Sequence, residues 1–358
     1  MMRGKFINFF VNPTPKEWSL FSLRHHKSQS HQFMSVVSSN LVTNSNNLLP
    51  HDDPSCDKIF KPSFNMKYGV NTLHTSSSVV EQSERDVVEN FVWLKMQEEA
   101  KIDVTVEPIL SSYYHVSILS QKSLETALAN HLSVKLSSVS LPSTTLSDLF
   151  VGVFESDKEI MDAMKNDLIA VKERDPACIS HVHCFLNFKG FLACQAHRVA
   201  HNLWSNGRKV LAVMIQNRVS EVFGVDIHPG AKIGSGILLD HATGIVVGET
   251  AIIGNDVSIL HGVTLGGTGK AHGDRHPKIG DGVLIGAGTC ILGNIKIGDG
   301  AKIGAGSVVI MEVPPRTTVV GNPAKLIGGK NNPIKLDKIP SHTMDHISHV
   351  SEFYDYVI

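Results

Sequence analysis

An apolar residue returns every six positions between about residues 225 and 309, and this is the most regular hydrophobic pattern in the chain. An α-helix repeats near 3.6 residues and an ordinary strand repeats every two, so neither explains a period of six. The period is typical of hexapeptide repeats, in which each repeat forms one short strand and a turn and stacked repeats build a prism. We therefore expect a left-handed parallel β-helix over residues 225–327. The repeat positions are Ile227, Ile233, Leu239, Ile245, Val247, Ile253, Ile259, Leu265, Ile279, Ile285, Ile291, Ile297, Ile303 and Val309.

Two interruptions break this period. The register slips by two residues before Val247, and the step from Leu265 to Ile279 is fourteen residues instead of six. The second interruption defines a loop, residues 266–277, that carries two histidines, an arginine, a lysine and four glycines. Repeat proteins usually place such insertions in surface loops on the binding face. We expect this loop to take part in function.

The segment upstream of the repeats has helical spacing. Apolar residues recur with helical periodicity from about residue 85 and again near residues 123–136, 145–154, 157–172 and 185–223. Pro108, Pro142 and Pro176 separate these segments. We interpret residues 85–223 as an α-helical domain. Asp175 lies in a loop between two of its helices, a position typical of an N-cap.

The N-terminal region differs in composition from the rest of the chain. Residues 1–51 carry five basic residues against one acidic residue, Glu17, and are rich in Ser, Asn and His. This composition is typical of an organellar transit peptide, with the mitochondrion favoured, the plastid next and the cytosol possible. The alternative is a disordered extension without a targeting role. Residues 52–82 read as a polar linker, so we expect residues 1–82 to be disordered.

Charge and cysteine content narrow the function classes. The formal net charge is −1, which gives no reason to expect nucleic acid as a partner. No apolar run reaches the length of a transmembrane helix, so no membrane partner is expected. The five cysteines form no CxxC pair and read as reduced thiols, and we expect no metal.

The C-terminal segment, residues 328–358, is polar and irregular until its last residues. It ends in Asp355, Tyr356, Val357 and Ile358. One interpretation is a tail that folds back on the core. The other is a flexible tail that offers a C-terminal carboxylate and an apolar anchor to a pocket on a partner.

Three pairs of chargeable residues lie among the repeats, two of them Asp with His and one Arg with His. They are Asp226 with His228, Asp240 with His241, and Arg275 with His276. A prism turn of about eighteen residues would bring positions 226 and 241 to neighbouring corners of stacked turns. An Asp–His pair can act as a general base, because the carboxylate fixes the ring tautomer and stabilises the imidazolium. A zinc site built from the histidines and a plain surface location are the alternatives.

The motifs at these positions resemble those of the serine acetyltransferase family. The resemblance rests on residues 226–229, 240–250, 266–270 and 273–279 of the repeats, and on residues 112–115, 132–137, 171–177 and 189–198 of the helical segment. It covers about residues 85–358, and the last four residues resemble the plant branch. The resemblance implies acetyl transfer from acetyl-CoA to the hydroxyl of L-serine. The products are O-acetyl-L-serine and CoA, in the first step of cysteine biosynthesis from serine.

The resemblance also implies roles for individual residues. His241 would be the general base and Asp226 its orienting partner. The serine ammonium group would be bound by Asp175 and Asp240, and the serine carboxylate by Arg275 and His276. Acetyl-CoA would be bound by Gly267, Ala287, Ala305 and Lys302.

Two kinds of partner follow from the same resemblance. Asp355, Tyr356, Val357 and Ile358 would dock in the active site of O-acetylserine (thiol) lyase. The chain would form a homotrimer or a hexamer built as a dimer of trimers.

Two other functions are consistent with the repeats. The chain could be a hexapeptide acetyltransferase with another acceptor, or a non-enzymatic regulatory subunit of a cysteine synthase complex. The first has no need of the helical domain or the Ile-terminated tail, and the second predicts a damaged His241 or Asp226, both of which are intact.

Overall fold

The computed structural model describes residues 77–269 and 272–347, with side chains from residue 91 onward. These residues all belong to one unit, Leu73–Ile358. The predicted transit peptide of residues 1–51 and the predicted lyase-binding residues Asp355, Tyr356, Val357 and Ile358 lie outside the described residues.

Helices occupy the described chain up to residue 223. They are α1 (Ser77–Val106), α2 (Ser111–Tyr114), α3 (Leu124–Leu136), α4 (Ser143–Ser156), α5 (Lys158–Arg174), α6 (His181–Asn187), α7 (Lys189–Ser205) and α8 (Lys209–Phe223). A 3-10 helix (Pro108–Leu110) and a π-helical turn (His115–Leu119) flank α2. No helix in the described ranges has both the length and the apolar character needed to cross a membrane.

Two helix boundaries differ from the sequence-based expectation. Helix α1 begins at Ser77, inside the segment that we expected to be linker, because no Pro or Gly interrupts residues 77–106. The expected helical segment 185–223 is divided among α6, α7 and α8. The second of these breaks contains Gly207, whose φ of +79° ends the helical path.

Side-chain caps fix where several helices begin. Ser123 and Thr126 form a capping box at α3, Asp157 caps α5, and Ser180 caps α6. Asp175 has a different place from the N-cap that its loop position suggested. It is the C-cap of α5, and its carboxylate accepts a hydrogen bond of 2.8 Å from the Ala177 N–H.

Fifteen short strands follow in the described chain. They are β1 (Asp226–Ile227), β2 (Lys232–Ile233), β3 (Leu238–Asp240), β4 (Val246–Val247), β5 (Ile252–Ile253), β6 (Ser258–Leu260), β7 (Thr264–Gly266), β8 (Lys278–Ile279), β9 (Leu284–Ile285), β10 (Cys290–Leu292), β11 (Lys296–Ile297), β12 (Lys302–Ile303), β13 (Val308–Val309), β14 (Thr318–Val320) and β15 (Lys325–Leu326). Successive strands fall on successive faces of a prism. Sheet 1 contains β1, β4, β7, β10 and β13, sheet 2 contains β2, β5, β8 and β11, and sheet 3 contains β3, β6, β9, β12, β14 and β15.

The hydrophobic repeat forms the interior of this prism. Ile227, Val247, Leu265, Ile291 and Val309 pair along sheet 1, and the other repeat positions except Ile245 pair in the same way along sheets 2 and 3. The pairing is parallel except between β14 and β15. Stacked apolar rows that point inward bury the repeat residues and drive the coiling. The predicted helical domain followed by a parallel β-helix of hexapeptide repeats is confirmed.

The two interruptions of the repeat fall between strands of this prism. Ile227 pairs with Val247, twenty residues on, whereas Val247 pairs with Leu265, eighteen residues on. The two extra residues lie in the corner 241–244, between β3 and β4. Leu265 pairs with Ile291, twenty-six residues on, because the loop 266–277 adds eight residues. The strands on either side stay in register, so both insertions project from the prism without disturbing it.

Buried polar contacts and one glycine dock the helical domain on the prism. The Asp167 carboxylate of α5 is 2.6 Å from the Arg198 guanidinium of α7, and it also accepts a 2.8 Å hydrogen bond from the Ile237 N–H. At the start of α7, a Cβ on Gly190 would lie only 2.0 Å from the Leu239 carbonyl oxygen of β3. Only glycine allows this approach. As a result α7 lies directly against the strand that leads into the corner 241–244.

The described part of the predicted C-terminal tail, residues 328–347, packs against the core. It contains a short helix, α9 (Pro340–Thr343). Ser341 is fully buried, where its hydroxyl lies 2.8 Å from the Ser258 hydroxyl and accepts a 3.1 Å hydrogen bond from Arg174. The expectation of a flexible tail is therefore corrected for these residues, because buried hydrogen bonds fix them on sheet 3.

Candidate active site

Three of the predicted site residues line one cavity at the corner 241–244. Asp175, Asp240 and His241 border this cavity of about 360 Å³, between the start of α7 and the end of β3. His241 Nε2 is 3.8 Å from Asp240 Oδ1, and the His241 side chain is 74% exposed. A histidine that is open to solvent and has carboxylates beside it can exchange protons with a bound molecule.

The backbone of this corner is strained. His241 and Ala242 have φ values of 55° and 57°, a left-handed conformation that non-glycine residues rarely adopt. Hydrogen bonds from Ala242 N to Asp240 O (2.6 Å) and from Thr243 N to His241 O (2.8 Å) hold the turn, and the Lys189 ammonium donates to the Thr243 hydroxyl. Strain that the surroundings hold in place is concentrated at functional sites.

Asp226 lies close to this corner along the backbone but is not paired with His241. The Gly244 N–H donates to the Gly224 carbonyl at 2.8 Å, which stacks the corner over the residues just before Asp226. The Asp226 carboxylate instead accepts a 2.7 Å hydrogen bond from the Gln216 side chain of α8. In the described part of the chain, no hydrogen bond or ion pair joins Asp226 to His241.

Arg275 and His276 form a second cluster, beyond the other end of β4. Arg275 Nη2 is 2.6 Å from Glu249 Oε2, and this hydrogen bond is the main cause of the lowered pKa of Glu249. The Thr250 N–H donates to His276 Nδ1 at 3.2 Å, so a neutral ring carries its proton on Nε2. Burial, reinforced by the nearby charge of Arg275, lowers the pKa of His276 and favours this neutral form.

His228 belongs to the second cluster rather than to the first. Its ring lies edge-on to Trp204 with the centroids 4.9 Å apart. Burial lowers the pKa of His228, while Glu249 acts in the opposite direction. No group of three or more His, Cys, Asp or Glu side chains among the described residues has an arrangement suited to a metal ion.

A single protomer does not bring the two clusters together. The corner 241–244 precedes β4, and Glu249 and Thr250 follow it. Among the residues that the structure describes, no hydrogen bond or ion pair connects one cluster with the other. Each cluster therefore presents a partial site at one end of β4.

The residues predicted to bind acetyl-CoA are spread over several turns of the prism. Gly267 lies beside the second cluster, where a Cβ would be 3.7 Å from His276 Nε2. Ala287 is half-buried and Ala305 is exposed, both just after strands of sheet 3. Lys302 is only 2% exposed and pairs with Asp345 of the tail at 3.7 Å, which is not the open position expected of a phosphate ligand.

Several residues of these clusters were not singled out from the sequence. Gln216 lies on a helix, where nothing in the spacing connects it with the prism, and Lys189 was within the motif 189–198 but was given no role. Glu249 and Thr250 were within the motif 240–250. Because they follow a repeat position, they could be assigned to a corner of the prism. Their hydrogen bonds to Arg275, 25 and 26 positions later, could not be predicted without knowing how the turns stack.

Comparison with known proteins agrees with this architecture. A family profile described as "Serine acetyltransferase, N-terminal" matches residues 92–196, and one described as "Bacterial transferase hexapeptide (six repeats)" matches residues 276–310. "Serine acetyltransferase 3, mitochondrial" from Arabidopsis thaliana is 70% identical over 287 residues, which cover 80% of this chain and 73% of that protein. "Serine acetyltransferase 1, chloroplastic" from the same plant is 72% identical over 267 residues, covering 75% and 85%.

A solved structure shows the same fold. The soybean serine acetyltransferase complexed with serine is 63% identical and has a TM-score of 0.65, with 66% of this chain and 98% of that chain covered. The predicted resemblance and the predicted class of acyltransferase are confirmed by these relatives. With most of both chains aligned at such identity, this chain belongs to the serine acetyltransferase family.

Proposed function

We propose that this chain transfers the acetyl group of acetyl-CoA to the hydroxyl of L-serine. The observation that carries the proposal is the strained corner that presents His241 beside Asp240 and Asp175 at one cavity. The products are O-acetyl-L-serine and CoA, and this is the first committed step from serine toward cysteine. The soybean relative complexed with serine supports the acceptor.

His241 is the general base of this reaction. It takes the proton of the serine hydroxyl as the oxygen attacks the thioester carbonyl carbon, and the C–S bond then breaks. The proton returns from the imidazolium to the leaving CoA sulfur, so no proton is gained or lost. Asp226 supports His241 through the field of its carboxylate, since Gln216 holds that carboxylate near the corner. Backbone N–H groups near Gly267 stabilise the oxyanion.

The charges of the two clusters match the two ends of an amino acid. Asp175 and Asp240 offer carboxylates to the serine ammonium group. Arg275, oriented by Glu249, and the Nε2–H of a neutral His276 offer donors to the serine carboxylate. Opposite charges at the two ends orient the hydroxyl between them, which lowers the entropic cost of reaching the transition state.

A neighbouring protomer completes the site in this proposal. The clusters lie at the two ends of β4, so a three-fold arrangement that turns sheet 1 toward the axis sets one cluster of a protomer against the other cluster of its neighbour. Val246 of β4 is 39% exposed and would be covered there. The trimer is therefore the smallest active form.

The helical domain supplies the contact that turns trimers into a hexamer. It exposes apolar side chains on α1 and on the helical turns that follow it, where they would be buried between two trimers. These side chains are Phe91, Leu94, Ile102, Val106, Ile109, Leu110, Tyr113 and Val116.

Acetyl-CoA lies along the prism between protomers, against the small residues Ala287 and Ala305. Small side chains at corners let the pantetheine approach the backbone closely. Lys302 contributes to phosphate binding only when Asp345 moves away from it, because the two are paired in this structure.

The chain ends act outside the reaction itself. Residues 1–51 direct the protein to the mitochondrion, as their composition and the mitochondrial relative suggest, with the plastid as the other destination. A fluorescent reporter fused to residues 1–82 tests this, and a diffuse cytosolic signal would reject it. Asp355, Tyr356, Val357 and Ile358 bind O-acetylserine (thiol) lyase.

The acceptor is tested by measuring CoA release with L-serine against a panel of amino acids, sugars and aminoglycosides. L-Serine should be preferred, and a better sugar or aminoglycoside acceptor would overturn the proposal. His241→Ala should lose about 10²- to 10⁴-fold in kcat, as expected for a general base. The matched control is His261→Ala, since His261 is exposed one turn away with its ring 5.8 Å from that of His241. It should keep its activity.

A further inference from the structure

A second cavity lies between the helical domain and the prism, apart from both clusters. It measures about 400 Å³, larger than the cavity at His241, and its size is in the range of small-molecule sites. The start of α5, the middle of α7 and the end of β2 form its walls. None of its lining residues belongs to the candidate active site.

The α7 wall presents a buried ring nitrogen that has no partner. His197 lines the cavity and is only 4% exposed, and its Nδ1 has no hydrogen-bond partner within the described structure. Burial, aided by His201 and Arg198, lowers the pKa of His197 to about 3 and keeps the ring neutral. An unpaired buried ring nitrogen is unfavourable unless a ligand or water supplies a hydrogen-bond partner.

A second imidazole on the same wall presents an acceptor atom. His201 Nδ1 lies 2.7 Å from the Pro229 carbonyl oxygen. A carbonyl only accepts, so Nδ1 carries the proton, and Nε2 of the neutral ring is an acceptor. The two rings lie 6.0 Å apart. A neutral His201 ring therefore presents a lone pair at Nε2 rather than an N–H group.

The α5 wall adds negative charge. Asp157 accepts hydrogen bonds from the Ile160 N–H (3.4 Å) and the Asn202 side chain (3.0 Å), which keep its carboxylate at the cavity edge. Glu159 lines the same edge and is exposed. The only cation in the lining, Arg198, is neutralised by Asp167 at 2.6 Å and donates to the Gly234 carbonyl at 2.8 Å.

These walls together favour one class of ligand. Besides Arg198, Asn202 and Ser205, the polar lining groups are two carboxylates and two imidazoles, while Ile160, Ala163 and Ile233 supply apolar surface between them. An anion would meet like charge from Asp157 and Glu159. We propose that this cavity binds a short alkylammonium ion, whose N–H groups satisfy the imidazole and carboxylate acceptors and whose methylene groups contact the apolar wall.

The proposal is tested by calorimetric titration of the full-length protein with three four-carbon probes. Putrescine, 1,4-butanediol and succinate share a chain length but carry positive, neutral and negative ends. Putrescine should bind, and the other two should not. Absence of putrescine binding would mean that water alone occupies the cavity and would overturn the proposal, as would equal binding of the diol.

Three variants locate the binding. Glu159→Gln should weaken putrescine binding about three- to tenfold by removing one charge at the edge. Ala163→Leu should fill the cavity and abolish binding, and His197→Phe should weaken it by removing the unpaired ring nitrogen; a thermal scan of each confirms folding. The control, Glu155→Gln, changes an exposed carboxylate of α4 outside the lining and should bind as wild type. Unchanged affinity in Glu159→Gln and Ala163→Leu would place the ligand elsewhere. Binding is read without acetyl transfer, so the result is independent of the proposed reaction.

Discussion

Two inactive variants of this protein should restore each other's activity when they assemble together. His241→Ala removes the base from the first cluster, and Arg275→Ala removes the carboxylate-binding cation from the second. Each homo-oligomer then carries the same defect at every site. The two clusters lie at opposite ends of β4, a strand of sheet 1. If neighbouring protomers share each site, some interfaces of a mixed trimer combine an intact His241 from one protomer with an intact Arg275 from its neighbour.

The size of the effect follows from the symmetry. An intact site needs His241 from a subunit with the Arg275→Ala change, and Arg275 from an adjacent subunit with the His241→Ala change. Random assembly of equal amounts gives this ordered pair at about one quarter of the interfaces in a cyclic trimer. Co-expression should therefore restore about one quarter of the wild-type kcat per protomer, with a KM for L-serine close to wild type.

The assay is the release of the CoA thiol from acetyl-CoA with L-serine, after co-expression of the two variants under different affinity tags. Recovery of both tags in one oligomer shows that mixed species form. The control mixes the two variants after separate purification, under conditions where subunits do not exchange, and should show no recovery. Activity no higher than the mean of the two single variants, in oligomers that carry both tags, would show that each site lies within one protomer and would refute the reasoning.

Further predictions address stability, pH and the C-terminus. Gly190→Ala should destabilise the fold by about 1–3 kcal/mol, because its Cβ would lie 2.0 Å from the Leu239 carbonyl oxygen. The control is Gly152→Ala on α4, whose Cβ would meet nothing within 4 Å and which should stabilise the fold by about 0.5–1 kcal/mol. Urea unfolding midpoints of the two variants measure both effects. Burial lowers the pKa of His131 to about 4, so the unfolded chain binds a proton at this residue that the folded chain does not, and His131 alone should lower the free energy of unfolding by about 1.4 kcal/mol per pH unit as the pH drops from 6.5 toward 4. His131→Gln should flatten this pH dependence of the urea midpoint, and an unchanged slope would contradict the assignment. Deletion of Ile358 should abolish binding to O-acetylserine (thiol) lyase in a pull-down and leave acetyl transfer unchanged, and retained binding would reject the tail hypothesis.

The period of six predicted the prism because it depends on local spacing alone. Each repeat position points inward as soon as its strand forms, so Ile253 and Ile279 could be assigned to the core without knowing what they pair with. The same spacing showed where the chain leaves the prism. The corner with His241 and the loop with Arg275 were both visible as interruptions of the repeat.

The period of six does not predict which side chains form hydrogen bonds with each other. The pairing of Asp226 with Gln216 depends on how α8 ends against β1, and helical spacing does not contain that geometry. The burial of Ser341 depends on Arg174, which is more than 160 positions earlier in the chain. Polar residues in an irregular segment give no periodic signal, so the tail read as flexible although its described part is fixed by buried hydrogen bonds.

The return to register after each insertion has a consequence for how such a protein changes over evolutionary time. Twenty-residue and twenty-six-residue turns stack on eighteen-residue turns with every inward row intact. A corner can therefore gain, lose or exchange residues without requiring compensating changes in the strands above and below it. The prism therefore tolerates substitutions and insertions in its corner loops. Changes in a single loop can alter the acceptor preference while the stacked interior stays the same.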